Sequence, residues 1–266
     1  MSALPSGSSR VYVEGVGLWS PQLADFAALR SLLAGATPTP TVRPAAATLP
    51  PNERRRAPES VLLAVEVAGQ AVAMSGRDAA SLACVFASSH GDQPITDYMC
   101  ATLAQTPAEL SPIRFHNSVH NAPVGYWTIA TGCHAPSTAV AAQRASFGAG
   151  LLEAVSQVLA EQRAVLLVCS DTAGSGPLGE VTGCRQPFGC ALVLTAERSS
   201  ATLARLDLQL TPAHPDSALD EPLVGWRDGN PSAGGLPLLA LLARTGGRCQ
   251  LTAAATLGLQ IDMDHI

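Results

Sequence analysis

The sequence predicts a layered α/β fold, and three observations predict it. Apolar runs of strand length recur along the chain: "SLACVFASS" at 81–89, "AVLLVCSD" at 164–171 and "FGCALVLTAE" at 188–197. Runs of this kind, apolar without alternation, suit central strands covered on both faces. Stretches with a helical apolar period lie between them, at about 58–75 and 145–161, and strands alternating with helices build layered domains. With 266 residues, 47% of them hydrophobic and 14% charged, the chain is long enough to bury a large core.

Taken in order, "RVYVEGVGLWS" (10–20) alternates as a strand does and stops at Ser20-Pro21. "PQLADFAALRSLLAG" (21–35) is predicted as a short helix with Pro at its start and Gly at its end. The Pro-rich stretch 36–52, "ATPTPTVRPAAATLPPN", is expected to be an exposed, extended loop. A helix then covers about 58–75, with Leu62, Val65 and Val72 on its buried face. After the strand at 81–89, "HGDQPITDYMCATLAQ" (90–105) leads into another helix. "FHNSVHNAPVGYWTIATG" (115–132) is irregular to helical, and "PSTAVAA" (136–142) is a strand. Residues 145–161 place apolar positions 148, 151, 152, 155, 158 and 159 on one helical face. "TLARLDLQL" (202–210) adds a strand, and the Pro- and Asp-rich stretch 211–233 breaks the pattern. Beyond it, a helix at about 234–244 and one or two strands in "CQLTAAATLGLQIDM" (249–263) complete the chain.

Charge and cysteine usage exclude several function classes. A net charge of −5 argues against binding a phosphate backbone, which needs a concentrated basic face. The one dense basic run, Arg54-Arg55-Arg56, is flanked by Glu53 and Glu59 and reads as a solvated helix start. All 16 basic residues are arginine. The seven cysteines form no C-x-x-C pair and most sit in apolar surroundings, as buried free thiols in a reducing compartment do. No signal peptide is visible at the N-terminus, and no apolar run approaches the roughly 20 residues that cross a bilayer. A cytoplasmic location without a membrane span is expected.

The residues able to carry chemistry give weak local signals. His116 and His120 lie four apart, with Cys133-His134 nearby, but neither spacing is a chelating pattern and no metal is expected. His116, Asn117, Ser118, His120 and Asn121 read instead as a structural polar loop that bonds buried backbone groups, where an unpaired donor costs about 1–3 kcal/mol. Ser89-His90 or Ser170-Asp171 would serve a Ser–His–Asp site, but no G-x-S-x-G accompanies them. Cys133 beside His134, and Cys184 and Cys190 in "VTGCRQPFGCALV", are read as structural thiols. "GAG" at 148–150 lacks the following Lys-Ser/Thr of a nucleotide loop. The most pointed feature is "STAVAAQRASFGAGLLEAV" (137–155), a strand turning sharply into a helix. Such a corner is where nucleophiles are mounted, yet here it carries Gln143-Arg144.

The segment from "FHNSVHNAPVGYW" through "AVLLVCSD" resembles the nucleophile region of β-ketoacyl synthases, of the thiolase-like superfamily. In that family a Gly-Pro pair leads into a short strand ending in Thr-Ala-Cys, followed by small residues, a helix and an apolar strand. Ala135-Pro136 is similar to the Gly-Pro, "STAVAA" to the strand and 145–161 to the helix. "RRRAPESVLLAVEVAGQAV" and "VFASSHGD" resemble further elements of the family's N-terminal half. The resemblance covers roughly residues 10–200. It implies a thiolase-like layered α/β/α fold with the N-terminal half nearly complete and the C-terminal half strongly truncated. It divides the chain into a ketosynthase-like domain, 1–210, and a reduced C-terminal remnant, 211–266, on the same core. "NPSAGGLPLLALLA" resembles a helix reached from one of the family's histidine motifs, without the histidine.

On this resemblance Gln143-Arg144 stand where Ala-Cys stand in the family, Arg144 falling at the cysteine, so the pair marks a vestigial nucleophile position with no catalytic residue. Neither an amide nor a guanidinium is acylated by a thioester. The resemblance is closest to shortened chain-length factors of the aryl polyene type, in which a glutamine occupies or adjoins the cysteine's place. It implies a cofactor-free subunit that pairs with an active β-ketoacyl synthase, shapes the acyl tunnel, and meets acyl carrier protein through the complex. In thiolase-like dimers the strand before the nucleophile pairs across the two-fold axis, which makes Tyr126, Trp127, Thr138, Val140, Ala142 and Arg144 the interface candidates. Arg144 suits either a carboxylate or phosphopantetheine near the old pocket, or a structural bridge. An acyl-thioester enzyme using a displaced Cys133, Cys184 or histidine, and a self-associating binding protein on the same fold, are the alternatives.

Overall fold

The computed structural model describes residues 9–266. The start of the N-terminal segment read above for a signal peptide, residues 1–8, lies outside the described residues. One eight-stranded sheet organises the chain, in the order β3-β2-β4-β5-β1-β6-β8-β7. The elements follow as β1 (Ser9–Trp19), α1 (Phe26–Leu33), α2 (Pro51–Arg56), α3 (Glu59–Ser75), β2 (Ala83–Ala87) and α4 (Gln93–Gln105). Next come α5 (Pro112–Asn117), α6 (Ala122–Thr131), β3 (Ser137–Val140), α7 (Ser146–Glu161), β4 (Val165–Asp171) and α8 (Gly176–Thr182). The last are β5 (Phe188–Thr195), β6 (Ala204–Pro212), α9 (Leu223–Gly229), α10 (Leu236–Ala243), β7 (Gly247–Ala254) and β8 (Leu257–His265). β2 pairs in parallel with both β3 and β4, and the remaining neighbours are antiparallel.

The unalternating strands are explained by two cores, one on each face. On β2, Ala83, Val85 and Ala87 join the core beneath α1, α7 and α10, while Cys84 and Phe86 join that beneath α3 and α6. On β4, Val165, Leu167 and Cys169 face the first and Leu166 and Val168 the second. Since side chains alternate along a strand, both parities must be apolar when both faces are covered. α3 lies so close to β1 that a Cβ on Gly17 would sit 2.0 Å from the Val67 carbonyl oxygen, so only glycine admits this approach.

Several expectations are corrected. α1 begins at Phe26, not at Pro21, because Asp25 caps it by accepting the Ala28 N–H at 2.8 Å. The 36–52 stretch is not wholly exposed: Ala46 and Leu49 are buried beside α3, the Ala46 N–H donates to Glu66 Oε2 at 2.6 Å, and α2 starts at Pro51. α5 ends at Asn117 and α6 starts at Ala122, so His116 and His120 share no helix face. β6 runs through residue 210, and β7 and β8 extend the same sheet, with Leu251 and Ile261 in its core.

Candidate functional site

The site is the corner between β3 and α7. β3 ends at Val140, Gln143 takes a left-handed conformation with φ +50°, and a single 3-10 turn over Gln143–Ala145 delivers the chain into α7. A non-glycine residue held there costs about 1–3 kcal/mol and persists only where its surroundings fix it. Here they do. The Gln143 carbonyl oxygen accepts from Ser89 Oγ at 2.8 Å and from Ser146 Oγ at 2.7 Å, and Ser146 Oγ accepts from the Ala142 N–H at 3.0 Å.

Behind these hydroxyls lies a buried polar network centred on Asp171. Its Oδ1 accepts from the Ser89 N–H at 2.9 Å and from Ser88 Oγ at 2.8 Å, and its Oδ2 accepts from Ser232 Oγ. Asn230 Nδ2 donates to the Asp171 and Gln186 carbonyls at 2.8 and 2.7 Å, and its Oδ1 accepts the Ser232 N–H at 2.8 Å. Asp171, Asn230 and Ser232 are all buried, and a buried carboxylate needs such a set of donors. The C-terminal segment at 230–232 is thereby tied to the corner that β3 and α7 form.

The side chains of Gln143 and Arg144 point the other way and are exposed. They line an open groove of about 530 Å³ with Ala142, Asp216, Arg227 and Thr252. Arg144 Nη2 donates to the Asp228 carbonyl at 3.2 Å. The left-handed residue is thus Gln143, one position before the one that the sequence ladder aligns with the family's cysteine.

No thiol or imidazole lines the groove. Cys133 is buried, its thiol donating to the Leu82 carbonyl at 3.3 Å, and Cys84 donates to the same oxygen at 3.4 Å. Burial and the neighbouring Cys133 push the Cys84 thiol up to about 12. Burial likewise holds Cys169, Cys184 and Cys190 above the ordinary thiol range, although the Arg144 charge opposes the shift at Cys184. Ser89 and Asp171 do meet, but through the Ser89 backbone, and His90 is exposed, so no Ser–His–Asp site forms. Among the described residues no group of three His, Cys, Asp or Glu side chains is placed to hold a metal.

The polar loop is only partly as expected. Asn117 is buried and accepts the Tyr126 hydroxyl at 3.2 Å, Ser118 Oγ donates to the Phe115 carbonyl at 2.8 Å, and His120 Nε2 lies 3.0 Å from the Ser88 carbonyl oxygen. His116 and Asn121 are exposed, because α5 stands at the surface. Both line an apolar groove of about 450 Å³ together with Leu49, Val119, Tyr126 and Ile129.

β3 is an edge strand, hydrogen-bonded to β2 alone. The interface candidates divide there. Trp127 is a core residue, 1% exposed, since α6 turns Val124 and Trp127 toward α3 and β2, and its side chain is corrected out of the interface set. Tyr126 is half-buried in the apolar groove and Arg144 is exposed. Along the strand Thr138, Val140 and Ala142 are half-buried, with Gln157 Nε2 donating to Thr138 Oγ1 at 3.1 Å, while Ser137, Ala139 and Ala141 are exposed. Ser146, Asn230 and Ser232 escaped the sequence reading. The Asn230-Pro231 pair was the one local hint, since Asn before Pro favours a cap, and Asn230 caps the turn that follows.

The comparisons with known proteins agree with this geometry. The family model of the β-ketoacyl synthase N-terminal domain matches residues 30–254. A chain from the structure of the ketosynthase ApeO in complex with its chain length factor ApeC, from Xenorhabdus doucetiae, superimposes with a TM-score of 0.66 at 23% identity, covering 95% of this chain and 98% of that one. A chain of the AntDE:AntF complex, a type II polyketide acyl-carrier protein with its ketosynthase bound to the hexaketide, gives a TM-score of 0.70 at 15% identity, covering 96% and 99%. A β-ketoacyl synthase from Burkholderia phymatum gives 0.58 at 13% identity, and there the match covers 77% of this chain and 64% of the longer one. Comparison with curated protein sequences gives no match. No helix among the described residues is long and apolar enough to cross a membrane. The sheet is thiolase-like, and from its sequence match the chain belongs to the β-ketoacyl synthase N-terminal domain family.

Proposed function

We propose that this chain is a non-catalytic, chain-length-factor-type subunit that pairs with an active β-ketoacyl synthase and shapes the acyl tunnel, in polyketide, aryl polyene or fatty-acid-like biosynthesis. The observation that carries the reading is the corner itself, which joins a left-handed backbone and hydroxyl anchors to the side chain of Gln143. We assign the vestigial nucleophile position to Gln143, with Arg144 beside it. Condensation needs a thiolate and donors for the developing oxyanion, and the partner would supply both.

The open edge of β3 supports a partner. Its exposed residues are Ser137 and Ala139, with Ala141 just beyond the strand, all small and uncharged, and an edge of that kind is open to pairing with another chain. α6, with Tyr126 and Ile129 on the apolar groove, runs directly into this strand and adds apolar surface. The enzyme with a displaced nucleophile is disfavoured, because Cys133 and Cys184 are both buried outside the lining of the groove and burial raises the Cys184 thiol. We place the complex in the cytoplasm, working on thioesters of acyl carrier protein.

Co-expression with its cognate β-ketoacyl synthase, followed by size-exclusion chromatography with light scattering, tests the reading. A one-to-one complex is expected. A chain that stays monomeric beside that ketosynthase, or forms only its own homodimer, contradicts it.

A further inference from the structure

The groove at the corner holds more than the vestige of a nucleophile. Arg144 is a seated cation. Its Nη2 donates to the Asp228 carbonyl at 3.2 Å and lies beside Gly183, 2.8 Å from where a Cβ there would stand. Among the described residues it enters no ion pair; its hydrogen-bond partner is a main-chain oxygen. Arg227 lines the same groove, with Nη1 donating to the Ser217 carbonyl at 3.2 Å and Nε 3.5 Å from Asp228 Oδ1. Asp216 also lines it, but its Oδ1 is engaged by the Thr252 N–H at 2.6 Å and the Thr252 hydroxyl at 2.8 Å. The fixed Gln143 backbone directs a carboxamide into the same space, and Ala142, Ala145 and Pro215 give part of the wall an apolar lining.

We infer that this groove binds, without covalent chemistry, an oxyanion carried on a short apolar stem, with Arg144 as the principal contact and Arg227 and Gln143 as secondary ones. Guanidinium matches a carboxylate or a phosphate through paired N–H donors, and that geometry selects the charged group over a neutral amide of the same shape. The inference stands whether or not the chain pairs with a ketosynthase.

The test is a calorimetric titration of the full chain with sodium butyrate, n-butyl phosphate and butyramide, repeated on Arg144→Gln, Arg227→Gln and the distant control Arg163→Gln. At least one anion binds saturably, and butyramide binds about tenfold more weakly or not at all. Arg144→Gln weakens the anion by about tenfold or more, Arg227→Gln by less, and Arg163→Gln leaves it unchanged. Tighter binding of butyrate assigns the site to carboxylates, and tighter binding of butyl phosphate assigns it to phosphate esters. Equal affinity for butyramide, no loss in Arg144→Gln, or no saturable binding of either anion overturns the inference. Thermal melts of each variant confirm that the fold is retained.

Discussion

The two edges of the sheet are built differently. At β7 the segment after β6 folds back over the strand: Asp216 Oδ1 accepts the Thr252 N–H at 2.6 Å, Ser217 Oγ accepts the Gln250 N–H at 2.9 Å, and the Ser217 N–H donates to the Gln250 carbonyl at 2.9 Å. That edge is closed from within. At β3 the small side chains of Ser137, Ala139 and Ala141 are exposed, with no charge or proline along Ser137–Val140 to block pairing. Covering an edge, or arming it with charge, is how a fold prevents unwanted pairing. The smooth edge at β3 is therefore where the proposed partner is tested.

Breaking the smooth edge carries the largest expected effect. Ala139→Arg places a charge on the exposed face of β3; the complex with the ketosynthase weakens about 100-fold or more, while the monomer loses only about 0.5 kcal/mol. Chromatography of the pair together with urea unfolding of the monomer reads both numbers. A complex that survives the arginine means that β3 is not the contact. Next comes the corner where β3 ends. Ser89→Ala combined with Ser146→Ala strips both hydroxyl donors from the Gln143 carbonyl and the acceptor from the Ala142 N–H, and costs about 2–4 kcal/mol of unfolding free energy. A double variant as stable as the parent means that the corner needs no anchor.

On the closed edge, Asp216→Ala uncovers the Thr252 N–H for about 1 kcal/mol and also opens β7 to pairing. Sedimentation that becomes concentration-dependent confirms that the cover was protective, and unchanged sedimentation argues the reverse. The smallest effect lies in the sheet interior, at Glu14 on β1. Burial alone would raise its carboxyl, but hydrogen bonds from Arg77 and Ser199 and the Arg77 charge outweigh burial and hold the pKa below the usual carboxylate value. A depressed pKa contributes stability above the unfolded value of about 4.3, and that contribution is lost as pH falls through the lower folded value. Stability of the parent therefore declines on acidification below pH of about 4.3 more steeply than that of Glu14→Gln, and equal slopes contradict the assignment.

The same contrast shows what a sequence can and cannot announce. The central strands were legible because two cores demand apolar residues of both parities, as at Val165–Asp171, and α7 was legible because its period is regular. The corner at Gln143-Arg144 was legible as a strand turning into a helix, which is β3, a 3-10 turn and α7. The anchors were not, because Ser89, Ser146, Asp171 and Ser232 come together through tertiary contacts up to 83 residues apart in the case of Ser88 and Asp171. Trp127 misled because a large aromatic before an edge strand looks like contact surface, and only the packing of α6 on α3 turns it inward. On β3 the strand itself was found, but which parity faces outward depends on how α7 covers it, through contacts such as that between Gln157 and Thr138.

On the proposed function, residue 143 holds the nucleophile's place without its chemistry. Intact-protein mass spectrometry of the purified pair, after incubation with an acyl-carrier-protein thioester, tests it most directly. The ketosynthase gains the mass of one acyl group, and this chain emerges at its unmodified mass. An acyl adduct on this chain, stable and confined to one side chain, contradicts the account.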